Sequence, residues 1–204
     1  MTDAQDAAKQ EVAEAALPLV RPGMRVGLGT GTTVAHLLPM LRGHSAELVY
    51  VASSPQTELA ALELGLDVRP FGALDRLDLT IDGADQVAPS GWLVKGGGAA
   101  HTREKILAAA ADHFVVIVSA DKLVDELGPP IPLELLTFGV AATLRALAPA
   151  ELRPVPASPD GGLIGDYRGA VGSPAELAAR LSGTPGVVEH GLFPPELVGE
   201  ILVR

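Results

Sequence analysis

Two segments contain residue types able to do chemistry: Asp82-Gly83-Ala84-Asp85 and, after nine intervening residues, Lys95-Gly96-Gly97-Gly98-Ala99-Ala100-His101-Thr102-Arg103-Glu104-Lys105. Two carboxylates end an apolar run; a lysine, three glycines and a glutamate follow. A packed core has no use for that set. It suits a site that holds a polyhydroxylated anion with backbone amides while a carboxylate moves a proton. Asp82 and Asp85 come after Leu77 to Ile81, so both can point into the crevice beyond the carboxyl ends of the strands. There they could bind a divalent metal, contact sugar hydroxyls and pass protons among them, or cap the next turn. The metal reading lacks a third well-placed ligand, since Gln86 is poor and His101 lies sixteen residues beyond Asp85. Beside Lys95, the glycines form either an exposed linker or a cup of amide donors for an oxygen gaining negative charge. Their direct entry into a helix favours the cup. Thr102 is placed to cap that helix, and Glu104 falls in its first turn, where the helix end keeps it ionised as a general base must be.

Gly27-Leu28-Gly29-Thr30-Gly31-Thr32-Thr33 lets backbone amides approach an anion at the start of a helix. It lacks the dinucleotide spacing G-x-G-x-x-G and the P-loop lysine, so the hydroxyls of Thr30, Thr32 and Thr33 fit a terminal phosphate or sugar hydroxyls better. Ser119-Ala120-Asp121-Lys122 follows another strand, and Lys122 either reaches ligand or pairs with Asp125 or Glu126. Ser53, Ser54 and Thr57 either touch ligand or cap the helix near Pro55. Lys9 sits on the polar face of the first helix, ordinarily a solvated place. His36, His44 and His113 read as satisfied or exposed histidines, and neither H-E-x-x-H nor G-x-S-x-G occurs.

The elements that must position these residues alternate. A helix over Ala4 to Val20 is followed by strands at Met24 to Leu28, Leu48 to Ala52, Asp67 to Pro70, Leu77 to Ile81 and Phe114 to Val118. Helices at Val34 to Leu41, Ser54 to Leu64 and Thr102 to Ala110 fall between them. That order predicts an α/β fold with a doubly wound, Rossmann-like parallel sheet. After Gly128-Pro129-Pro130-Ile131-Pro132 the order becomes βαββαβ, the split-βαβ, ferredoxin-like arrangement of a smaller α+β domain. Residues 1–128 and 194–204 are thus expected to form the catalytic domain, with Val198 to Val203 returning to it as a strand, and 129–193 the small domain.

Composition bounds the partners. With 48 % hydrophobic residues and only 3 % aromatic, the core must come from Leu, Val, Ile and Ala. A formal charge of −10 argues against a nucleic-acid partner while leaving room for a local site for a small phosphorylated ligand. The chain has no cysteine, which excludes disulfides, thiolate nucleophiles and thiolate metal sites. With no signal-peptide pattern and no membrane-length apolar run, a cytoplasmic location is expected and a membrane partner is not.

Read together, these motifs resemble ribose-5-phosphate isomerase type A. The likeness runs through residues 27–33, Ser53-Ser54-Pro55-Gln56-Thr57, Ile81 to Asp85, Lys95 to Lys105, Ser119 to Lys122 and Gly186-Val187-Val188-Glu189-His190-Gly191-Leu192-Phe193, nearly the whole chain. It implies an aldose-ketose isomerase interconverting D-ribose 5-phosphate and D-ribulose 5-phosphate in the pentose phosphate pathway, with no metal and no organic cofactor. A homodimer, or a homotetramer, is implied as well. By the same resemblance Glu104 is the general base, Asp82, Asp85 and Lys95 are further catalytic residues, and a cis-enediolate is the intermediate. Substrate binding is implied for Lys9, Thr30, Gly31, Thr32, Thr33, Asp82, Asp85, Lys95, Gly96, Gly97, Gly98 and Lys122. The chain departs from the family at Gln86, usually glutamate, at His101, often leucine, and at Ser158-Pro159-Asp160-Gly161-Gly162, often T-D-N-G-N. It also ends at Arg204 without the usual glycine-containing tail. The same residues also fit action on another sugar phosphate, acyl transfer through a carboxylate nucleophile, a silent sugar-phosphate sensor and, last, oxidoreduction.

Overall fold

The computed structural model describes residues 3–44 and 46–204. In chain order its elements are α1 (Asp3–Ala16), β1 (Arg25–Leu28), α2 (Thr32–Leu41), β2 (Val49–Ala52), α3 (Pro55–Glu63), β3 (Leu79–Asp82), β4 (Gln86–Val87), β5 (Leu93–Val94), α4 (His101–Ala110), β6 (Phe114–Val118), β7 (Ile131–Leu135), α5 (Val140–Ala146), β8 (Ala150–Leu152), β9 (Leu163–Tyr167), α6 (Pro174–Ser182), β10 (Val187–His190), β11 (Leu192–Phe193) and β12 (Glu200–Val203). No described helix is long and apolar enough to cross a membrane.

The chain divides into two compact units, one of residues 1–84, 103–122 and 196–204, the other of residues 85–102 and 123–195. In the first, β12, β6, β3, β1 and β2 form a parallel sheet in that order. β6, the run Phe-Val-Val-Ile-Val, is buried along its whole length, as a strand covered on both faces must be. Val26, Leu28, Ile81, Val115 and Ile117 from the strands pack with Val12, Ala16, Leu37 and Leu41 from α1 and α2. β1 lies between β2 and β3, so the chain leaves β1 to one side for β2 and returns on the other as β3. Between β1 and β3 is the switch point where open α/β sheets bind ligands at their carboxyl ends.

Two expected elements of this unit differ. Asp67 to Pro70 supplies a single bridge, Val68 to Tyr50, because Pro70 has no N–H with which to extend a ladder. The first helix stops at Ala16 and tightens into a 3₁₀ turn at Leu17–Leu19, since Pro18 cannot donate back along an α-helix.

The second unit has a four-stranded antiparallel sheet in the order β10-β7-β9-β8, with α5 and α6 in the connections. This is the split-βαβ order. Its core gathers Ile131, Leu133, Leu135, Leu147, Leu181 and Leu192. Ser173 caps α6 by accepting from Glu176 N–H, with Pro174 in the first turn. β8 ends at Leu152, just before Arg153-Pro154. Residues 85–102, which a boundary at Gly128 leaves with the larger domain, group instead with this unit, where β4, β5 and β11 make a small three-stranded sheet.

Candidate active site

In the first unit, β1 and β3 bring the glycine-threonine loop to Asp82. Gly29 N–H donates to Ile81 O at 3.0 Å. A Cβ on residue 29 would lie 1.9 Å from the Asp82 carboxyl carbon, so only glycine fits beside that side chain. Asp82 is 1 % exposed, and its Oδ1 accepts from Gly83 N–H at 2.7 Å. The loop is braced by hydroxyls: Thr30 and Ser53 share a 2.8 Å hydrogen bond, and Thr57 Oγ1 donates to Gly29 O at 3.0 Å. Ser54 takes the capping role, accepting from Thr57 N–H at the start of α3. Gly31, at φ 133°, turns the chain into α2, whose first turn holds Thr32 and Thr33.

Lys9 departs from the solvated-surface reading. Its Nζ donates to Thr32 Oγ1 at 2.8 Å, placing a cation at the amino end of α2. Ammonium, threonine hydroxyls and helix end are together groups that could hold an anion such as a phosphate. Glu104 is in the first turn of α4 and only 4 % exposed. Lys122 ends a 3₁₀ turn after β6, with Nζ 3.6 Å from Asp121 Oδ2, and Asp121 rather than Asp125 or Glu126 is its partner. The Ser119 hydroxyl, donating to Asp121, is the main reason that carboxyl stays below its ordinary range; the Lys122 charge adds to it.

In the second unit the turn after β5 carries Lys95 and the three glycines. Lys95 is 3 % exposed, with its ammonium 5.4 Å from the centre of the Phe193 ring. Its backbone N–H donates to Gly191 O at 2.8 Å. Gly96 adopts φ 109°, and a Cβ there would meet Pro132 at 2.7 Å and His101 at 2.8 Å. Gly97 N–H donates to Asp85 Oδ2 at 2.7 Å. One amide of the expected cup is therefore committed to an aspartate of the other motif.

Several residues here escaped the sequence reading. Arg153 donates to the carbonyls of Gly96 and Gly97 at 3.0 and 3.2 Å and is paired with Asp166. Glu134, 2 % exposed on β7, accepts from the hydroxyls of Thr102 and Ser158. Thr102 thus lies within α4, its hydroxyl engaged by Glu134. Ser158 also accepts from the N–H groups of Asp160 and Gly162, which is how the altered 158–162 turn is held. Gln86 bonds Gly128 twice, donating to its carbonyl at 2.9 Å and accepting from its N–H at 2.8 Å; a glutamate could only accept. The contacts of Arg153 with Gly96, Glu134 with Thr102 and Gln86 with Gly128 span 57, 32 and 42 residues, so no local motif marks them. The histidines set aside are engaged: His36 with Asp6 at 3.1 Å, His44 with Val20 O at 3.1 Å, and His113 with Glu200 at 3.6 Å. Among the described residues, no three of His, Cys, Asp and Glu are grouped to hold a metal ion.

A family model described as ribose 5-phosphate isomerase A (phosphoriboisomerase A) matches residues 49–203. The chain is 42 % identical over 223 residues to the ribose-5-phosphate isomerase A of Synechococcus sp. (strain WH7803), across 100 % of this chain and 93 % of that protein. Among solved structures it is similar to ribose 5-phosphate isomerase A from Methanocaldococcus jannaschii, with a TM-score of 0.90 and 32 % identity over 98 % of this chain and 95 % of that one. It is similar as well to a D-ribose-5-phosphate isomerase in complex with phospho-erythronic acid, with a TM-score of 0.91 and 33 % identity over 100 % and 95 % of the two chains.

Proposed function

The chain belongs to the ribose 5-phosphate isomerase A family, and from that premise we propose that it interconverts D-ribose 5-phosphate and D-ribulose 5-phosphate with Glu104 as general base. The observation that supports this reading most directly is the burial of two carboxylates, Asp82 and Glu104, in a unit that also carries the Lys9-Thr32 cradle at a helix amino end. A cradle alone would suit a sensor. Binding alone does not call for shielded carboxylates, whereas proton transfer at carbon does.

In this scheme Lys9, Lys122 and the Thr30-Gly31-Thr32-Thr33 loop hold the phosphate and the adjoining hydroxyls. Asp82 assists opening of the furanose ring, and Asp85 fixes the glycine turn against which the substrate oxygens lie. Glu104 then takes the proton from C2 of the open aldose, and the electron pair moves through C1 to leave negative charge on O1. Lys95 and the glycine amides of residues 96–98 not engaged by Asp85 stabilise that charge. Asp82 passes the O2 proton to O1 across the cis-enediolate. Protonated Glu104, its proton exchanged with solvent during the life of the enediolate, delivers a proton to C1, and the electron pair on O2 closes the C2 carbonyl. As many protons are delivered as are removed, so no external oxidant or reductant is needed. The ligand of the structural relative, phospho-erythronic acid, fits the scheme: a phosphorylated sugar acid combines a phosphate with a planar carboxylate, as a phosphorylated enediolate combines a phosphate with a planar oxyanion.

The test is conversion of ribose 5-phosphate by the unsubstituted protein beside Glu104→Gln. Turnover by the first and its near abolition in the second, with substrate still bound, is the expected result. Equal turnover in both would remove Glu104 from the mechanism.

A further inference from the structure

The Gly96–Gly97 peptide is held at both ends of its dipole. Arg153 Nη1 donates to Gly96 O at 3.0 Å, and on the opposite edge Gly97 N–H donates to Asp85 Oδ2 at 2.7 Å. The same Nη1 reaches Gly97 O at 3.2 Å. A trans peptide is planar, with C=O and N–H pointing in opposite directions. Fixing the Gly96 carbonyl therefore aims the Gly97 N–H at Asp85, and fixing the Gly97 carbonyl turns the Gly98 N–H away from Arg153. Glycines cannot hold such an orientation themselves, having no side chains to pack and many accessible backbone states.

Arg153 is itself mounted rigidly. Its Nε and Nη2 donate to the two oxygens of Asp166 at 3.2 and 2.5 Å, and the two side chains are 17 % and 6 % exposed. Asp166 lies in β9, and Arg153 N–H donates to Ile164 O at 2.9 Å, so both ends of the pair are carried by one sheet. Arg168 is the other cation near Asp166, at 3.8 Å, but its closer partner is Glu151 at 2.5 Å. Only a planar guanidinium can satisfy a carboxylate with one edge and two carbonyls with its remaining nitrogen; an ammonium is a single point of charge.

We infer that Arg153, oriented by Asp166, is a positioning residue for the isomerisation: it fixes the peptides of the 96–98 turn and, through them, Asp85 and the Gly98 amide. The inference rests on the function proposed above for that turn.

Arg153→Lys keeps the charge and loses the fork, while Arg153→Ala leaves a space that methylguanidinium can enter. In folded Arg153→Lys protein the expected outcome is a kcat lower by roughly 10- to 100-fold with KM within about threefold, the pattern for lost alignment in the transition state. Amide hydrogen exchange at residues 96–98 should quicken while that of β7 does not, and methylguanidinium should restore part of the kcat of Arg153→Ala. Native kcat together with native exchange would overturn the inference, as would a loss of activity that only follows the unfolded fraction and is not rescued. If the unsubstituted protein fails to turn over ribose 5-phosphate, the functional reading falls by itself. Exchange at 96–98 then decides the positioning role: faster exchange in Arg153→Lys upholds it, and unchanged exchange overturns it.

Discussion

Glu104 and Tyr50 show how differently two buried polar side chains can be used. Glu104 is proposed to cycle a proton, and replacing it by glutamine keeps the shape while removing the base. A general base contributes about 10²- to 10⁴-fold, so Glu104→Gln should lose kcat on that scale with little change in KM, read from steady-state kinetics. Tyr50, 2 % exposed, has a hydroxyl with no hydrogen-bond partner among the described residues, and burial pushes its pKa up to about 12. The folded protein thus holds the Tyr50 proton more tightly than the unfolded chain, whose tyrosine titrates near 10. Its contribution is complete below about pH 10 and is lost as pH rises toward about 12. Tyr50→Phe should be no less stable in urea at neutral pH and should flatten the fall in stability over that alkaline window; a steeper fall would contradict this reading. At this scale the candidate site was legible wherever a local motif carries it: Asp82, Asp85, Lys95 and Glu104 all stand in short, chemically unusual runs. Arg153, Asp166 and Glu134 were not, because each meets its partner only through sheet pairing or a loop return and looks locally like ordinary strand polarity.

Among the elements, the β1-α2 turn puts the most specific demand on sequence. Because a Cβ at residue 29 would overlap Asp82, Gly29→Ala must move either the strand end or the carboxylate. A misplacement of about 1 Å can cost on the order of 100-fold, so activity should fall by at least tenfold, and by more than any loss of folded protein measured by circular dichroism explains. The cap of α3 is a milder case. Ser54→Ala removes the acceptor for Thr57 N–H and should lower stability by about 1 kcal/mol in urea denaturation. The long elements were readable because their patterns are strong, as in the unbroken apolar run of the strand Phe114 to Val118. β4, β5 and β11 have two residues each and show no periodicity, so pairing alone defines them. Asp67 to Pro70 failed as a strand for the converse reason, having an apolar-polar pattern but a terminal proline that ends the ladder.

Taken whole, each of the two units carries a hydrophobic core drawn from its own parts of the chain, and the parallel and split-βαβ orders of the two main sheets are those expected from the alternation of elements. The grouping of residues 85–102 with the second unit was not legible, since nothing in composition marks an excursion that begins and ends inside motif residues. The proposed chemistry is carried wholly by side chains and amides. Protein treated with a chelator and dialysed should keep its full rate, and activity lost on that treatment and restored by a divalent cation would contradict the scheme. The central claim is tested most directly by running ribose 5-phosphate isomerisation in deuterated water with the chelator-treated protein and with Glu104→Gln in parallel. The account predicts ribulose 5-phosphate carrying solvent deuterium at C1 from the unsubstituted protein and almost none from Glu104→Gln. Tight binding without turnover, or equal deuterium incorporation by both proteins, would contradict it.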